Sequence, residues 1–174
     1  MSGSELTAEG YDASLIDFSG ANLAHADLGG SKLTADGREE ATIEFTEADL
    51  ANANLRGSKL TAISSYADAT IDFTQADLTH ADLSGSELTA EGYDASLIDF
   101  TQADLAHADL SGSKLASTTG NGNATINFLE ANLTNADLSG SRLTAATAYG
   151  ITSARPETID FTEADLANAD LSGW

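Results

Sequence analysis

The chain lacks cysteine altogether and contains one proline and one tryptophan in 174 residues. Without cysteine there are no disulfide bonds and no thiolate chemistry, and the sequence carries no mark of a redox compartment. Aromatic residues make up 6% of the chain, and its hydrophobic content of 41% consists mostly of Ala and Leu. A core built from these residues must be narrow.

Basic residues are also scarce. Seven Lys and Arg stand against 28 Asp and Glu, which gives a formal net charge of −21. Contact with nucleic-acid phosphates or with an anionic membrane surface is therefore electrostatically unfavourable. The composition predicts no direct nucleic-acid binding, and it predicts that a charged partner would present a basic protein surface.

Long apolar runs are absent as well. No stretch approaches the roughly 18 residues that a membrane-spanning helix needs. The start, "MSGSELTAEG", has neither the basic residues nor the apolar segment of a signal peptide. We therefore predict no membrane span and, by default, a cytoplasmic location. An extracellular location reached by a route without a signal peptide stays open.

What the sequence does contain is a repeat of 27 to 33 residues. Large apolar residues recur at every fifth position within a unit, as in Phe18, Leu23, Leu28 and Leu33. Each unit consists of four such pentapeptides followed by 7–15 residues that break the pattern, such as "TAEGYDAS". The units align on six phenylalanines: Phe18, Phe45, Phe73, Phe100, Phe128 and Phe161.

A period of five excludes the common amphipathic elements. An α-helix requires apolar residues three and four apart, and a half-buried strand requires them two apart. A coil that turns a corner every five residues instead points one side chain per side inward. Successive turns of such a coil stack by β-type hydrogen bonds about 4.8 Å apart. Four sides then make a turn of twenty residues.

The motif that fills the units is A(D/N)Lxx, as in "ANLAHADL", "ADLANANL" and "ADLTHADL". It resembles the pentapeptide-repeat family over the whole chain apart from the connecting stretches. The resemblance implies an all-β, right-handed parallel β-helix with a quadrilateral section. We expect one such domain over residues 1–174, with about six turns and a loop of 7–15 residues after each turn. The regular loops and the lack of an obvious capping helix depart from familiar members.

Stacked turns also bring outward residues into columns. The residue before each inward one is acidic on three sides, and the first of these columns runs Asp17, Glu44, Asp72, Asp99, Asn127 and Asp160. The fourth column collects most of the basic residues: Glu5, Lys32, Lys59, Glu87, Lys114 and Arg142. Three interpretations of the acidity stay open. It is a solvated surface that keeps a β-solenoid soluble, an adaptation to high salt, or a mimic of DNA phosphates.

No residues in the sequence predict a catalytic, cofactor or metal site. Carboxylates are abundant, but no pair stands out by an apolar environment that would shift its pKa. His25, His80 and His107 share one column with asparagines, which favours a polar ladder over a metal site. Tyr11, Tyr66, Tyr93 and Tyr149 all lie in the predicted loops, and we interpret them as candidates for recognition or for packing between loops.

The two ends have the same phase in the repeat. "MSGSEL" aligns with "LSGSEL" at 83–88, and "ADLSGW" stops at the side where Met1 begins. Uncapped solenoid ends recruit further strands. We therefore predict a non-catalytic structural or interaction protein that assembles head to tail into a filament or dimer. The predicted interface consists of Met1, Leu6, Phe161, Leu166, Leu171 and Trp174.

The alternative function also comes from the resemblance. Some acidic pentapeptide-repeat proteins bind DNA gyrase and inhibit or protect it, so the resemblance implies a DNA mimic acting on a type II topoisomerase as the second candidate.

Overall fold

A computed structural model describes residues 2–148 and 156–173. The described residues form twelve β-strands and no helix. There is accordingly no helix among them that is long and apolar enough to cross a membrane. The strands are β1 (Glu5–Gly10), β2 (Ala13–Asp17), β3 (Lys32–Gly37), β4 (Glu40–Glu44), β5 (Lys59–Ser64), β6 (Ala69–Asp72), β7 (Glu87–Gly92), β8 (Ser96–Asp99), β9 (Lys114–Thr119), β10 (Ala124–Asn127), β11 (Arg142–Thr147) and β12 (Glu157–Asp160).

These strands make two parallel six-stranded sheets. The odd-numbered strands stack in chain order in one sheet and the even-numbered strands in the other. Two further ladders of single parallel bridges, beginning with Asn22↔Asp49 and Asp27↔Asn54, form the remaining sides. The section therefore has four sides, and the predicted all-β solenoid is confirmed. It has about five turns, slightly fewer than the six predicted, because six stacked strands are separated by five steps.

The core follows the period of five. Phe45, Phe73, Phe100 and Phe128 are at most 1% exposed. Their rings stack in parallel with centroids 4.9 Å apart, which is the spacing of neighbouring strands. Leucine columns line the other three sides, with Ala or Ser two residues before each Leu. Each fully buried Leu or Phe contributes about 1.5–3 kcal/mol, so a narrow interior is sufficient.

Within the described residues, most positions of the predicted 7–15-residue loops lie in strands, so this part of the prediction is wrong. In the first of them, "TAEGYDAS", only residues 11–12 lie outside strands β1 and β2. We call the outer half of an odd strand, this tight turn and the start of the next even strand an arch. The two halves of an arch face each other through small side chains, such as Ala35 and Ala41, both fully buried. Two strands approach this closely only because Ala, Ser and Gly line the space between them.

In the repeats that contain β3, β5, β7 and β9, arch length follows the residue at the end of the odd strand. Gly37 and Gly92 end such strands in 27-residue repeats, and a Cβ at Gly92 would lie 1.9 Å from the carbonyl oxygen of Ala95. Ser64 takes this position in a 28-residue repeat, where its hydroxyl accepts a 3.1 Å hydrogen bond from the Ala67 amide. Thr119 does the same for Gly122. One extra turn residue makes room for a hydroxyl that then caps the turn.

We expect Gly92→Ala to lower the free energy of unfolding by roughly 1–3 kcal/mol, because the new methyl group overlaps a backbone carbonyl. Gly92→Ser with one residue inserted into the 93–95 turn should recover most of this loss, since it copies the arch of Ser64. Urea denaturation measures both. Gly112→Asn is the control: it has φ near +62° but open space around it, and Asn tolerates that conformation. A Gly92→Ala loss no larger than the control loss would contradict the close-approach argument.

Candidate interaction surfaces

Three corners in each turn of the solenoid are four-residue turns. The amide of Ala21 donates to the carbonyl of Phe18 at 2.9 Å, and Gly20 between them has φ of 62°. The same turn recurs one and two sides on, where His25 and Gly30 take the left-handed position. A positive φ at the third position is what a type II turn requires. The chain therefore needs a residue that accepts left-handed geometry on three sides of every turn.

This requirement explains the histidine column. His25, His80 and His107 all have φ between 57° and 61°, as do the asparagines that share the column. Asn and His are enriched in this region among residues other than glycine. The rings of His80 and His107 stack with centroids 4.7 Å apart. No group of three or more metal-ligating side chains occurs within residues 2–148 and 156–173.

The acidic columns also belong to the corners. Every Asp or Asn that precedes an inward residue accepts a hydrogen bond from the backbone amide two residues later, at 2.7–3.2 Å; examples are Asp77 with Thr79 and Asp104 with Ala106. This is an Asx turn, which holds the corner from outside. Sequence reasoning assigned these residues to the surface and missed this bond, although the invariable pairing of Asp or Asn with a following corner was its signal.

The same bonds affect titration. The Ser19 and Thr162 hydroxyls and amides lower the pKa of Asp17 and Asp160 by hydrogen bonding to the carboxylates, and the Ser172 amide and hydroxyl lower that of Asp170. Because the folded-state pKa lies below the ordinary value, these carboxylates stabilise the fold above that ordinary value. Their contribution is lost as the pH falls through the folded-state pKa.

The predicted tyrosine candidates lie at the turns of the arches. Tyr11 and Tyr66 flank Arg38, whose guanidinium carbon lies 4.5 and 5.0 Å from the two ring centroids. These two tyrosines thus pack between neighbouring arches through cation–π contacts. Tyr93 is 43% exposed beside Gly120. Tyr149 lies outside the described residues, and recognition by any of the four stays a prediction.

The predicted interface residues lie at the two ends of the solenoid. Leu6 is 46% exposed and Leu171 39% exposed, whereas Leu60, an inner member of the Leu6 column, is 1% exposed. Phe161 and Leu166 are half-buried in the last turn. Met1 and Trp174 lie outside the described residues. Each end thus presents core columns that a further turn would cover.

Comparison with protein-family models agrees with the observed repeat. The family model for pentapeptide repeats matches eight copies, over residues 12–35, 43–62, 71–90, 94–119 and 126–148. The chain belongs to the pentapeptide-repeat family. No curated protein matches it.

Solved structures of other pentapeptide-repeat proteins align over nearly the whole chain. One from the thylakoid lumen of Arabidopsis thaliana is 21% identical and covers 97% of this chain, with a TM-score of 0.22; this chain spans 62% of that protein. HetL, involved in heterocyst differentiation regulation in the cyanobacterium Nostoc, is 24% identical and covers 96% of this chain and 84% of its own, with a TM-score of 0.22. A trypsin-treated form of QnrB1, a plasmid-mediated fluoroquinolone resistance protein, is 18% identical and covers 98% and 74%, with a TM-score of 0.22.

In this pentapeptide-repeat protein, stacking places like charges next to one another. Asp49, Asp77 and Asp104 follow each other in one column. An asparagine relieves the repulsion where it occurs: the Asn132 side-chain amide donates to Asp104 at 3.0 Å. Two charges 4 Å apart interact by about 1 kcal/mol in water, and salt screens part of this. The hydrogen bond at the corner requires only an oxygen acceptor. The negative charge of Asp, by contrast, destabilises the stacking of successive turns.

Substitution at Asp77 separates these two effects. We expect Asp77→Asn to keep the bond to the Thr79 amide and to remove a charge between two carboxylates, so that stability is unchanged or higher. Asp77→Ala loses the bond and should lower the free energy of unfolding by about 0.5–1.5 kcal/mol. Urea denaturation at low and high NaCl measures both, and any gain of Asp77→Asn should shrink with salt. Equal losses for Asn and Ala would contradict the assigned hydrogen bond.

Proposed function

We propose that this protein is a non-catalytic structural protein that assembles end to end with copies of itself. The observation that supports the proposal is the exposure of core columns at both ends, shown by Leu6 and Leu171. Within the described residues, strands β1, β2, β11 and β12 also have no neighbour on their outer edge. Open edges of this kind pair with another chain unless they are blocked.

The geometry of a joint between two copies follows from the solenoid itself. Phe18 and Phe161 are the outer members of one stacked ring column, in which inner centroids are 4.9 Å apart. A second copy placed one step beyond β12 would add its Phe18 to this column, and its β1 and β2 would extend the two sheets. The joint would bury apolar side chains and pair backbone groups at once, which the sides of the solenoid do not offer.

The site chemistry argues against catalysis as the main role. The interior is filled by Phe rings and Leu side chains, and the carboxylates lie outside it. Where hydrogen bonds shift a carboxylate pKa, as at Asp17 and Asp160, they lower it. A carboxyl group that serves as a general acid near neutral pH needs the opposite shift.

Assembly should depend on the end leucines and on salt. We expect the wild-type chain to form elongated particles whose size increases with protein concentration and with NaCl, because salt screens the repulsion between copies of net charge −21. Leu6→Glu or Leu171→Glu should prevent this by placing a charge in the joint. Light scattering and negative-stain microscopy measure particle size and shape.

Leu15→Glu is the matched control for these variants. Leu15 is 53% exposed at the same end as Leu6, but it lies between the buried Ser14 and Ile16 and so faces outward from the sheet. The substitution should leave assembly intact. A wild-type chain that stays monomeric across concentrations and salt would overturn the proposal.

The three acidic columns support a second candidate, a mimic of DNA that binds a basic protein surface such as that of a type II topoisomerase. The carboxylates lie outside the core on successive turns, as phosphates do along a duplex. This function requires charge, whereas the fold requires only the acceptor oxygen.

A charge-neutral variant therefore separates the two candidates. Asp77, Asp82, Asp104 and Asp109 changed together to Asn keep the corner acceptors and remove four charges. If mimicry is the function, the wild-type chain inhibits DNA gyrase supercoiling and the Asn variant inhibits it much less. Absence of inhibition by the wild-type chain would reject the mimic.

A further inference from the structure

We infer that two copies join in one register, which places Glu5 of the second copy beside Arg142 of the first. In this joint, residues 2–4 of the second copy overlap the last corner of the first copy, so they must move before the joint can form. The inference rests on the proposed end-to-end assembly. It adds the register of the joint and the segment that limits its formation. The partner is a second copy of this chain. The N-terminal corner, residues 2–4, blocks the joint until it detaches.

The charge pattern of the odd-numbered sheet points to this register. Lys32 pairs with Glu5 at 2.7 Å, and Lys59 pairs with Glu87 at 2.9 Å, each across one strand spacing. Arg142 is different: its neighbour in register is Lys114, which has the same charge. Among the described residues no carboxylate forms an ion pair with Arg142.

A second copy supplies a carboxylate, that of Glu5, which pairs with Lys32 of its own chain on the opposite side. If its β1 adds to β11 in the register used elsewhere in the sheet, Glu5 of that copy lies beside Arg142, and Leu6 lies beside Leu143. The even-numbered sheet continues in the same step, with Ile16 of the second copy on Ile159. One register thus places a carboxylate beside Arg142 and covers the exposed core leucine.

The two ends conflict at a single corner. Gly3 has φ of 66° and Gly173 has φ of 84°, so both ends form the glycine corner that precedes an odd strand. The Gly3 amide donates to Gly29, and the Gly140 amide donates to Ser172, which are equivalent bonds of the same ladder. In the inferred joint, residues 2–4 of the second copy and Ser172 and Gly173 of the first would fill one position.

Of the two overlapping corners, the N-terminal one can detach more easily from the solenoid. Ser2, Gly3 and Ser4 are all exposed. Their links to the second turn are the Gly3 amide to Gly29 at 2.9 Å, the Ser2 hydroxyl to the same carbonyl at 3.0 Å, and the Lys32 amide to Ser4 at 2.8 Å. The competing corner carries Leu171 of the core column. Release of residues 2–4 therefore opens the joint without removing a buried side chain.

Deletion of residues 2–4 tests whether these residues limit assembly. A chain in which Met1 is followed directly by Glu5 should assemble at a protein concentration about tenfold lower than the chain with residues 2–4, because three hydrogen bonds no longer have to break first. Light scattering over a concentration series at fixed NaCl measures the threshold. Circular dichroism of both chains at low concentration shows whether the truncated chain is folded.

Cysteine trapping tests the register, and the chain has no cysteine of its own. A chain with Arg142→Cys, mixed with a chain with Glu5→Cys, should form a mixed disulfide, because adjacent strands lie about 4.8 Å apart, within disulfide range. Glu9→Cys is the control: it is exposed on the same strand but four residues out of register. It should cross-link poorly with Arg142→Cys.

Charge exchange gives an independent readout. Arg142→Glu alone should raise the assembly threshold, and Arg142→Glu combined with Glu5→Arg should restore it. If neither the full nor the truncated chain assembles at any salt, the proposed function fails and this inference fails with it. If the full chain assembles but truncation does not lower the threshold and Glu9→Cys traps as well as Glu5→Cys, the inference alone is wrong.

Discussion

The corner turn is the constraint on which the rest of this structure depends. A chain that turns in this way needs a left-handed residue in each of these three corners and an acceptor for the amide that the turn exposes. His80 supplies the first and Asp77 the second within one pentapeptide. Once these are in place, the inward position can be any large apolar residue that stacks on its equivalents. The leucine every fifth residue is thus a consequence of the corner as much as its cause.

The fourth side escapes this constraint and behaves differently. There the chain continues as a strand, reverses in an arch and returns, so the spacing between sheets depends on side-chain size. Ser117 and Ser96 show how tight this is: their hydroxyls are 2.8 Å apart between neighbouring arches, and both residues are buried. Small side chains and the choice of Gly, Ser or Thr at the strand end therefore set the repeat length, which the corners do not control.

Much of the fold could be predicted from sequence because the pattern of five is long and regular. The Phe and Leu columns lie inward as that period requires. The arches were missed because their period of two extends over only a few residues, and because Ala35 or Ala41 reads as loop composition although each is fully buried. Low hydrophobicity marks a surface loop in most proteins; here it marks two strands packed closely.

The interaction surfaces were less predictable for a related reason. A column of Asp in a sequence gives charge and position but does not show what each oxygen bonds, and Asp104 needed coordinates to reveal its bond to the Ala106 amide. The His column shows the same limit, since its φ values explain it better than any ligand does. For the ends, the sequence gives the common phase, whereas the shared glycine corner appears only in the backbone bonds of Gly3 and Gly140.

The acidity of this chain is more than its corners require. Asn54 and Asn132 make the same turn as the aspartates and also donate to the carboxylate on the previous turn, at 2.9 and 3.0 Å. A chain selected for stability alone would therefore use asparagine at most corners. The excess of Asp places repulsion along the whole length of the solenoid, and it opposes the apolar attraction at the ends. Association between such copies is then a balance that salt can shift, with the open ends as the part of the molecule where attraction outweighs charge.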